Sequence, residues 1–223
     1  MMTLALEFSS TRRSVALALA GRVVAEAVHE DAGHTPAIAL ARRVLAQSGM
    51  GRESIERIAV GLGPGSYAGI RSALALAQGW SLKGGVEVVG VSSLSALIRG
   101  IPGDRVGDGT EALVLLDAQR GEFHGQRVVF RQDCWRPDGD LLLLTKEGAK
   151  GAMADGTRIL GPEVRRWFSE GTECYPTAWH VANLGSMMKP VGPPEVLEPI
   201  YLRSILFLKT PPPRQDLLDG LSF

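Results

Sequence analysis

Two short turns in this 223-residue chain have the residue types of a phosphate-binding site. One is Gly63-Pro64-Gly65-Ser66, which lies between a strand pattern and a helix pattern. Glycine and proline favour a tight turn with accessible backbone N–H groups, and Ser66 can cap the helix that follows. Helix N-termini attract anions, so the turn could bind a phosphate or could simply start the helix. The spacing favours the structural role, because it matches neither a Walker loop nor a dinucleotide fingerprint.

A second candidate turn, Ser9-Ser10-Thr11, lies between the first two strand patterns. In actin-like ATPases a polar turn at this place holds nucleotide phosphates, and an acidic residue at the strand end holds magnesium through water. Glu7 is the only acid nearby, and it lies two residues before the turn. A hydrolytic site needs a correctly placed metal carboxylate, so the pattern favours a structural turn. We predict at most a weak anion-binding or nucleotide-binding role for Ser9, Ser10, Thr11, Gly63, Gly65 and Ser66.

The other titratable side chains form no catalytic or metal-binding pattern in the sequence. His29 and His34 are five residues apart, so they would not share one face of a helix, and Gly33 favours a loop there. Asp117 begins a charged segment that is typical of a hairpin turn. We therefore predict no catalytic residue, no metal ion and no cofactor.

Composition restricts the class of protein and its compartment. The 24 basic and 24 acidic residues cancel, so contact with nucleic acid or membrane would need a local patch or a partner. Cys134 and Cys174 have no pairing motif, which indicates a reducing compartment. The pair Arg12-Arg13 precedes an apolar run of only about six residues, too short for an export signal or a membrane span. We expect a cytoplasmic protein without membrane contact.

The order of predicted elements indicates an α/β protein. Three strand patterns come first, followed by helix, strand, helix, strand and helix. This order resembles the domain of actin, Hsp70 and sugar kinases, and it predicts an actin-like (ribonuclease H-like) N-terminal domain with a mixed five-stranded sheet. Residues 100–109 are dense in glycine, proline and aspartate, so we place a boundary there. The predicted units are residues 1–100 and a smaller, diverged α/β subdomain over residues 108–223.

Capping residues delimit the helices of the first unit. Thr35 and Pro36 predict the start of a helix that ends at Gly49. Ser66 predicts the start of a second helix over residues 69–82, and Ser92 that of a third. In the second unit the pattern predicts helices over 162–169 and 177–187 and a strand over 200–207.

Two of these helices are more apolar than an ordinary surface helix. Their apolar residues span an arc wider than the roughly 100° stripe of a helix with one buried face. Such a helix is covered on more than one side, either by the rest of its own chain or by another subunit. We favour another subunit, because a short chain of this order has few spare helices. The predicted partner or dimer interface consists of Ile38, Ala41, Leu45, Ile70, Ala73, Leu74, Ala77 and Trp80.

At these residues the chain resembles the TsaB (YeaZ) family of the bacterial pathway that makes threonylcarbamoyladenosine in tRNA. The resemblance is dense to about residue 97 and sparse afterwards. Its most specific part contains GPGS, Gly-Ile-Arg at 69–71, Ala-Gln-Gly at 77–79 and Gly-Val-Ser-Ser-Leu at 90–94. The matching segments are residues 4–17, 34–49, 58–97, 116–122, 175–178 and 199–203.

The resemblance implies an actin-like fold without an enzymatic activity of its own. It implies a scaffold subunit that binds and stabilises the catalytic subunit TsaD through a bundle of the two apolar helices, with the ATPase TsaE joining the pair. Without TsaD, self-association as a homodimer through the same helices is implied. TsaD transfers the threonylcarbamoyl group to the adenosine next to the anticodon, so this chain would meet tRNA only through the complex. The metal-binding His-x-x-x-His of TsaD is missing from the sequence, as expected for an accessory subunit.

The sequence departs from the family pattern at both turns. Glu7 stands where the family usually has aspartate, and Tyr67-Ala68 replaces Phe-Thr after GPGS. The first departure weakens the argument for nucleotide binding. Two other functions stay open from the sequence: an actin-like ATPase or peptidase with its own phosphate-binding turns, and a self-sufficient homodimer that acts as an interaction module.

Overall fold

A five-stranded mixed sheet forms the first half of the molecule. In the computed structural model, which describes residues 1–29, 36–82, 84–104, 106–154, 156–190 and 197–200, the strand order is β3-β2-β1-β4-β5. The first three strands are antiparallel, and β4 and β5 run parallel to β1. The strands are β1 (Met2–Glu7), β2 (Arg13–Leu19), β3 (Arg22–His29), β4 (Arg57–Gly61) and β5 (Glu87–Val91).

Helices cover both faces of this sheet, as its fully buried central strands require. On one face lie α1 (Ala37–Ser48) and α2 (Tyr67–Ser81), whose apolar residues pack with Leu4, Leu6 and Ile58 in the largest core cluster. On the other face, α3 (Ser93–Gly100) and the late helix α5 (Ala178–Ser186) pack against a surface built from alanine and valine. The first sheet is therefore completed by a helix from the end of the described chain.

A second mixed sheet has the same strand order and directions as the first. Strand β6 is central, β7 and β8 follow it antiparallel on one side, and β10 and β11 lie parallel to it on the other. A short strand, β9, also pairs with β7, and helix α4 (Lys146–Ala154) follows it. The strands are β6 (Glu111–Asp117), β7 (Glu122–Arg131), β8 (Cys134–Pro137), β9 (Leu142–Thr145), β10 (Arg158–Gly161) and β11 (Thr172–Glu173).

Arg57 connects the end of α5 to the first sheet. Its side chain is buried, and Nη1 donates to the carbonyl oxygens of Gly185 at 2.9 Å, Ser186 at 3.3 Å and Met188 at 3.1 Å. Its Nε and Nη2 donate to Glu87 Oε2 at 3.0 and 2.6 Å. The last carbonyls of a helix have no partner within the helix, and a cation at that end also complements the helix dipole. Arg57 thus satisfies the C-terminus of α5.

The predicted helix ends in the first half are largely confirmed. Helix α1 ends at Gly49 in the left-handed conformation, Ser66 accepts a hydrogen bond from Gly69 N at 3.3 Å, and Ser92 caps α3 in the same way. Pro36 is the N-cap of α1 rather than its first helical residue, and Thr35 lies outside the described residues.

The second half differs more from its prediction. The expected helix over 162–169 is wrong: only Val164–Arg166 form a single 3₁₀ turn, because Glu163 before it takes the left-handed conformation. Helix α5 is confirmed within residues 177–187, and Thr177 caps it by accepting from His180 N at 3.3 Å. Most of the predicted strand over 200–207 lies outside the described residues.

Candidate functional site

The two polar turns lie against each other at the carboxyl end of the first sheet. Ser66 N donates to the carbonyl oxygen of Ser9 at 2.7 Å. A Cβ at Gly65 would lie 2.1 Å from that same oxygen, so only glycine permits the approach. The structure thus brings Ser9 and Ser10, which are buried, together with the Gly63–Ser66 turn at the place where open α/β sheets bind ligands.

Glu7 lies at the centre of this turn cluster and is fully buried. Its Oε1 accepts from Ser9 N at 2.7 Å, and its Oε2 accepts from Ser93 Oγ at 2.8 Å. Ser93 Oγ in turn accepts from Gly63 N at 3.0 Å. Burial raises the pKa of the Glu7 carboxyl, and the hydrogen bonds from Ser9 and Ser93 oppose that rise. Glu7 therefore joins the first turn, the second turn and the start of α3.

The exposed end of the first turn is held by a carboxylate from the second half. Thr11 N donates to Glu163 Oε1 at 3.1 Å, and Thr11 Oγ1 donates to the same oxygen. The amides of Ser9 and Thr11, which a phosphate would need, are thus bonded to carboxylate oxygens. A phosphate entering here would meet two carboxylates and would have to displace them. This arrangement favours a structural role over phosphate chemistry.

No constellation for metal binding is found in the part of the chain that the structure describes. Among these residues, no three His, Cys, Asp or Glu side chains lie together in a way that could hold a metal ion. Within the same residues, no helix is both long and apolar enough to cross a membrane.

Most of the predicted interface residues are buried within this chain, although the helical pattern had suggested that another subunit covers them. Six of the eight are buried within this single chain, because the apolar centre of both helices packs on the first sheet. Ala41, Ala73 and Ala77 are fully buried within the single chain, and a partner interface formed by the eight residues stays a prediction. The six are Ala41, Ile70, Ala73, Leu74, Ala77 and Trp80. Ile38 is 47% exposed and Leu45 is half-buried, so these two reach the surface.

A surface groove lies where α1 meets α2. It has a volume of about 230 Å³ and is lined by Ile38, Arg52, Ala75, Leu76, Gly79 and Trp80. Arg52 supplies its only charge, and the Arg52 guanidinium lies 4.9 Å from the centre of the Trp80 ring. The rest of the lining is apolar or glycine, so the groove is shaped for an apolar side chain.

The exposed stripe of α2 continues from this groove with very little charge. It contains Tyr67 at 51% and Leu82 at 81% exposure, and Arg71, which lies 4.5 Å from the Tyr67 ring, is its single charged residue. The stripe consists of Tyr67, Ala68, Arg71, Ala75, Gly79 and Leu82. Solvent-facing stripes are ordinarily polar or charged, so this one is typical of a surface that another molecule covers. We call the stripe, the groove and the exposed side of α1 the α1–α2 face.

Sequence reasoning missed three residues that hold the site together. Ser93 follows the cap residue that the pattern identified, and a hydroxyl at a helix start is a usable signal for it. Arg57 stands alone in an apolar strand, where a buried cation needs partners. Glu163 carries no such signal, since it lies 152 residues from Thr11.

Known proteins resemble this chain in sequence and in structure. Residues 24–132 match the family described as TsaD, tRNA N6-adenosine threonylcarbamoyltransferase. Over 125 residues the chain is 33% identical to the tRNA threonylcarbamoyladenosine biosynthesis protein TsaB of Escherichia coli, and over 127 residues it is 29% identical to that of Haemophilus influenzae. These alignments include 56% of this chain and 53% of each relative. The chain thus spans about half the length of the curated relatives it matches.

The solved structures of similar proteins extend the likeness to nearly the whole chain. A structure titled as YeaZ from Pseudomonas aeruginosa superposes with a TM-score of 0.71 at 22% identity, covering 90% of this chain and 99% of that one. A second structure, titled as an uncharacterized protein with similarity to peptidase YEAZ from Pseudomonas aeruginosa, gives 0.72 at 23% identity. At this identity the superposition shows the shared fold.

The two sheets of order 3-2-1-4-5, with a polar turn cluster at the strand ends, define an actin-like α/β protein. The predicted fold class is therefore confirmed, and the second sheet has six strands against five in the first. Within this class the chain is similar to TsaB proteins over about half of its length, and its fold is that of YeaZ.

Proposed function

We propose that this chain is a non-catalytic subunit in the biosynthesis of threonylcarbamoyladenosine in tRNA. It binds and stabilises a TsaD-like catalytic subunit through the α1–α2 face, and a TsaE-like ATPase joins that pair. Two relatives that carry the name of this pathway support the proposal. The observation that carries it is the apolar groove beside an almost uncharged solvent stripe, a combination that is typical of a surface covered by another molecule.

The turn cluster supports the non-catalytic part of the proposal. Glu7 and Glu163 bond the amides that would bind a phosphate, and Glu7 is buried among its own partners. The cluster instead fixes the loop before α2, because Ser66 both contacts the first turn and caps that helix. The site that binds nucleotide in actin-like ATPases here positions a helix of the proposed interface.

The decisive experiment changes the face without changing the fold. A Cβ at Gly79 meets no atom within 4 Å, so Gly79→Arg is compatible with the folded chain and places a bulky cation in the groove. Gly151→Arg is the matched control, since Gly151 also lies exposed in a helix with open space around it. Each variant is co-expressed with the TsaD homologue of the same genome, and the complex is measured by size exclusion.

We expect Gly79→Arg to lose the complex and Gly151→Arg to keep it. In cells that depend on this gene, the Gly79→Arg strain should also lose threonylcarbamoyladenosine from digested tRNA. Retention of complex and modification by Gly79→Arg would refute the proposed interface. Calorimetry with ATP and Mg²⁺ on the isolated chain tests the alternative enzyme, which requires tight binding and turnover.

A further inference from the structure

A cluster of cations lies around one tryptophan of the second half, although the whole chain is neutral. Lys146 Nζ lies 5.6 Å from the centre of the Trp167 ring, and the guanidinium carbon of Arg166 lies 5.8 Å from it. Lys150 follows Lys146 by one helical turn on the same side of α4, and Arg165 precedes Arg166 in the 3₁₀ turn. We call these five residues the Trp167 patch.

The patch has an excess of positive charge that its own segments do not neutralise. In the part of the chain that the structure describes, no carboxylate lies within ion-pair distance of any of its four cations. The two segments that form the patch, α4 and residues 164–171, contain the exposed acids Glu147 and Glu170. Four cations thus stand against two carboxylates, and the patch attracts anions on a surface that is otherwise balanced.

The packing beneath the patch does not depend on these cations. The Trp167 ring packs edge-on against the buried Phe123 ring, with 5.6 Å between their centres and 80° between their planes. Both rings belong to an apolar cluster that joins α4 and the 3₁₀ turn to the second sheet. Lys150 and Arg166 are exposed to solvent. One cation would be enough for a structural contact with the ring, so the further charges favour a binding role.

We propose that the Trp167 patch binds the phosphate backbone of RNA, so that this chain itself contacts the tRNA. The proposal rests on the proposed function, in which the chain belongs to a tRNA-modifying assembly, and it goes beyond the expectation that tRNA is met only through the complex. Lysine and arginine neutralise phosphates, and an aromatic ring among them can stack with a base or a guanidinium plane. The Trp167 ring holds two of the cations near one point, where they can bind neighbouring phosphates of one strand.

Salt dependence measures these contacts. The affinity for an unmodified tRNA transcript is measured at several NaCl concentrations from about 50 mM upward, with the isolated chain and with its complex with the TsaD homologue of the same genome. For the double variant Lys146→Gln/Arg166→Gln we expect an affinity about tenfold lower. The slope of log affinity against log salt should be shallower by about 1.5, because each lost phosphate contact removes about 0.7–0.9.

A matched control uses two exposed arginines of the same half. Arg131 and Arg136 lie on β7 and β8, outside the patch, so Arg131→Gln/Arg136→Gln should keep the wild-type affinity and slope. Unchanged affinity and slope in Lys146→Gln/Arg166→Gln, or an isolated chain that does not bind tRNA at about 50 mM NaCl, would refute the proposal.

Two further variants separate binding from folding. Lys150 is exposed, so Lys150→Gln leaves both cation–ring contacts in place and should still make the slope shallower by about 0.8. Addition of tRNA should also change the tryptophan fluorescence of the wild type, and Trp167→Phe should lose most of that change. Equal fluorescence changes in the two proteins would show that RNA binds elsewhere.

Vesicles and the TsaD complex distinguish the ways in which the proposals fail. Leu142 and Leu143 lie exposed on β9 just before α4, so an anionic membrane surface is the competing ligand. Binding to phosphatidylserine vesicles without binding to tRNA would overturn the RNA proposal. If Gly79→Arg keeps the complex, the proposed interface is wrong, whereas the measurement on the isolated chain still decides the RNA contact. If the patch variant keeps both the complex and full tRNA affinity, only the RNA contact is wrong.

Discussion

Replacement of Arg57 by methionine should lower the free energy of unfolding far more than removal of the Arg57–Glu87 ion pair alone would. Methionine keeps most of the side-chain volume but removes the Nη1 donor from the carbonyl oxygens of Gly185, Ser186 and Met188, of which Gly185 O keeps only a 3.3 Å bond from Met188 N and the bond from Met187 N. A hydrogen bond from a charged donor contributes about 1.5–3 kcal/mol, and Nη1 has two hydrogens for these three acceptors. We therefore expect a loss of about 4 kcal/mol, near the range found when one member of a buried charged contact is removed.

Glu87→Gln separates the ion pair from the helix contact. Glu87 is half exposed, with a side-chain exposure of 50%, so its pair with Arg57 is screened by solvent and worth about 1 kcal/mol or less. Urea unfolding followed by circular dichroism gives the free energies of both variants. A thermal scan should show a fall of about 10 °C for Arg57→Met and of a few degrees at most for Glu87→Gln.

Hydrogen exchange locates the effect. If Arg57 holds the C-terminus of α5, the amides of that helix should exchange faster in Arg57→Met, while those of the second sheet change little. A loss below about 1 kcal/mol, or equal losses in Arg57→Met and Glu87→Gln, would show that the carbonyl contacts do not stabilise α5.

Three further predictions concern buried titratable groups. Burial raises the pKa of Glu7, so its ionisation should lower the stability of the wild type as pH rises above about 4.5, and Glu7→Gln should remove that slope in urea unfolding at several pH values. Burial and the charge of Arg99 lower the pKa of His180, so stability should fall as pH falls below about 6.5, and a His180→Gln variant that keeps this slope would contradict the assignment. Burial raises the pKa of Cys174 to about 12, so a thiol reagent at pH 8 should modify Cys134 in the native chain and Cys174 only after unfolding; rapid reaction of two thiols would refute this.

The first sheet could be predicted because its signals are local. Apolar strand patterns, Gly49 and the serine caps define elements that lie next to one another in sequence, and the order of these elements points to the fold. The second sheet has the same order, but β8, β9 and β10 have four residues each and β11 has two. Strands that short carry too little periodicity to be recognised in a sequence.

The sequence predicted which turns and helices form the candidate site, but it did not predict which residues contact one another there. Helical periodicity shows that Ala73 and Ala77 are buried, but it cannot show whether a sheet or another subunit buries them. The informative positions were the exposed ones, Ala75 and Gly79, where charge is expected and none occurs. The role of Glu163 depends on the approach of two sheets, which no short-range pattern encodes.

The late position of α5 has a consequence for synthesis on the ribosome. Arg57 and Gly185 are 128 residues apart, so at about 5–20 residues per second the first sheet waits roughly 6 to 26 s for its second cover. The surface left open meanwhile consists mostly of alanine, with two valines from β5; its residues are Ala5, Ala16, Ala18, Ala59, Val89 and Val91. Alanine presents little apolar area compared with leucine or phenylalanine, so the nascent sheet stays less adhesive until its last helix arrives.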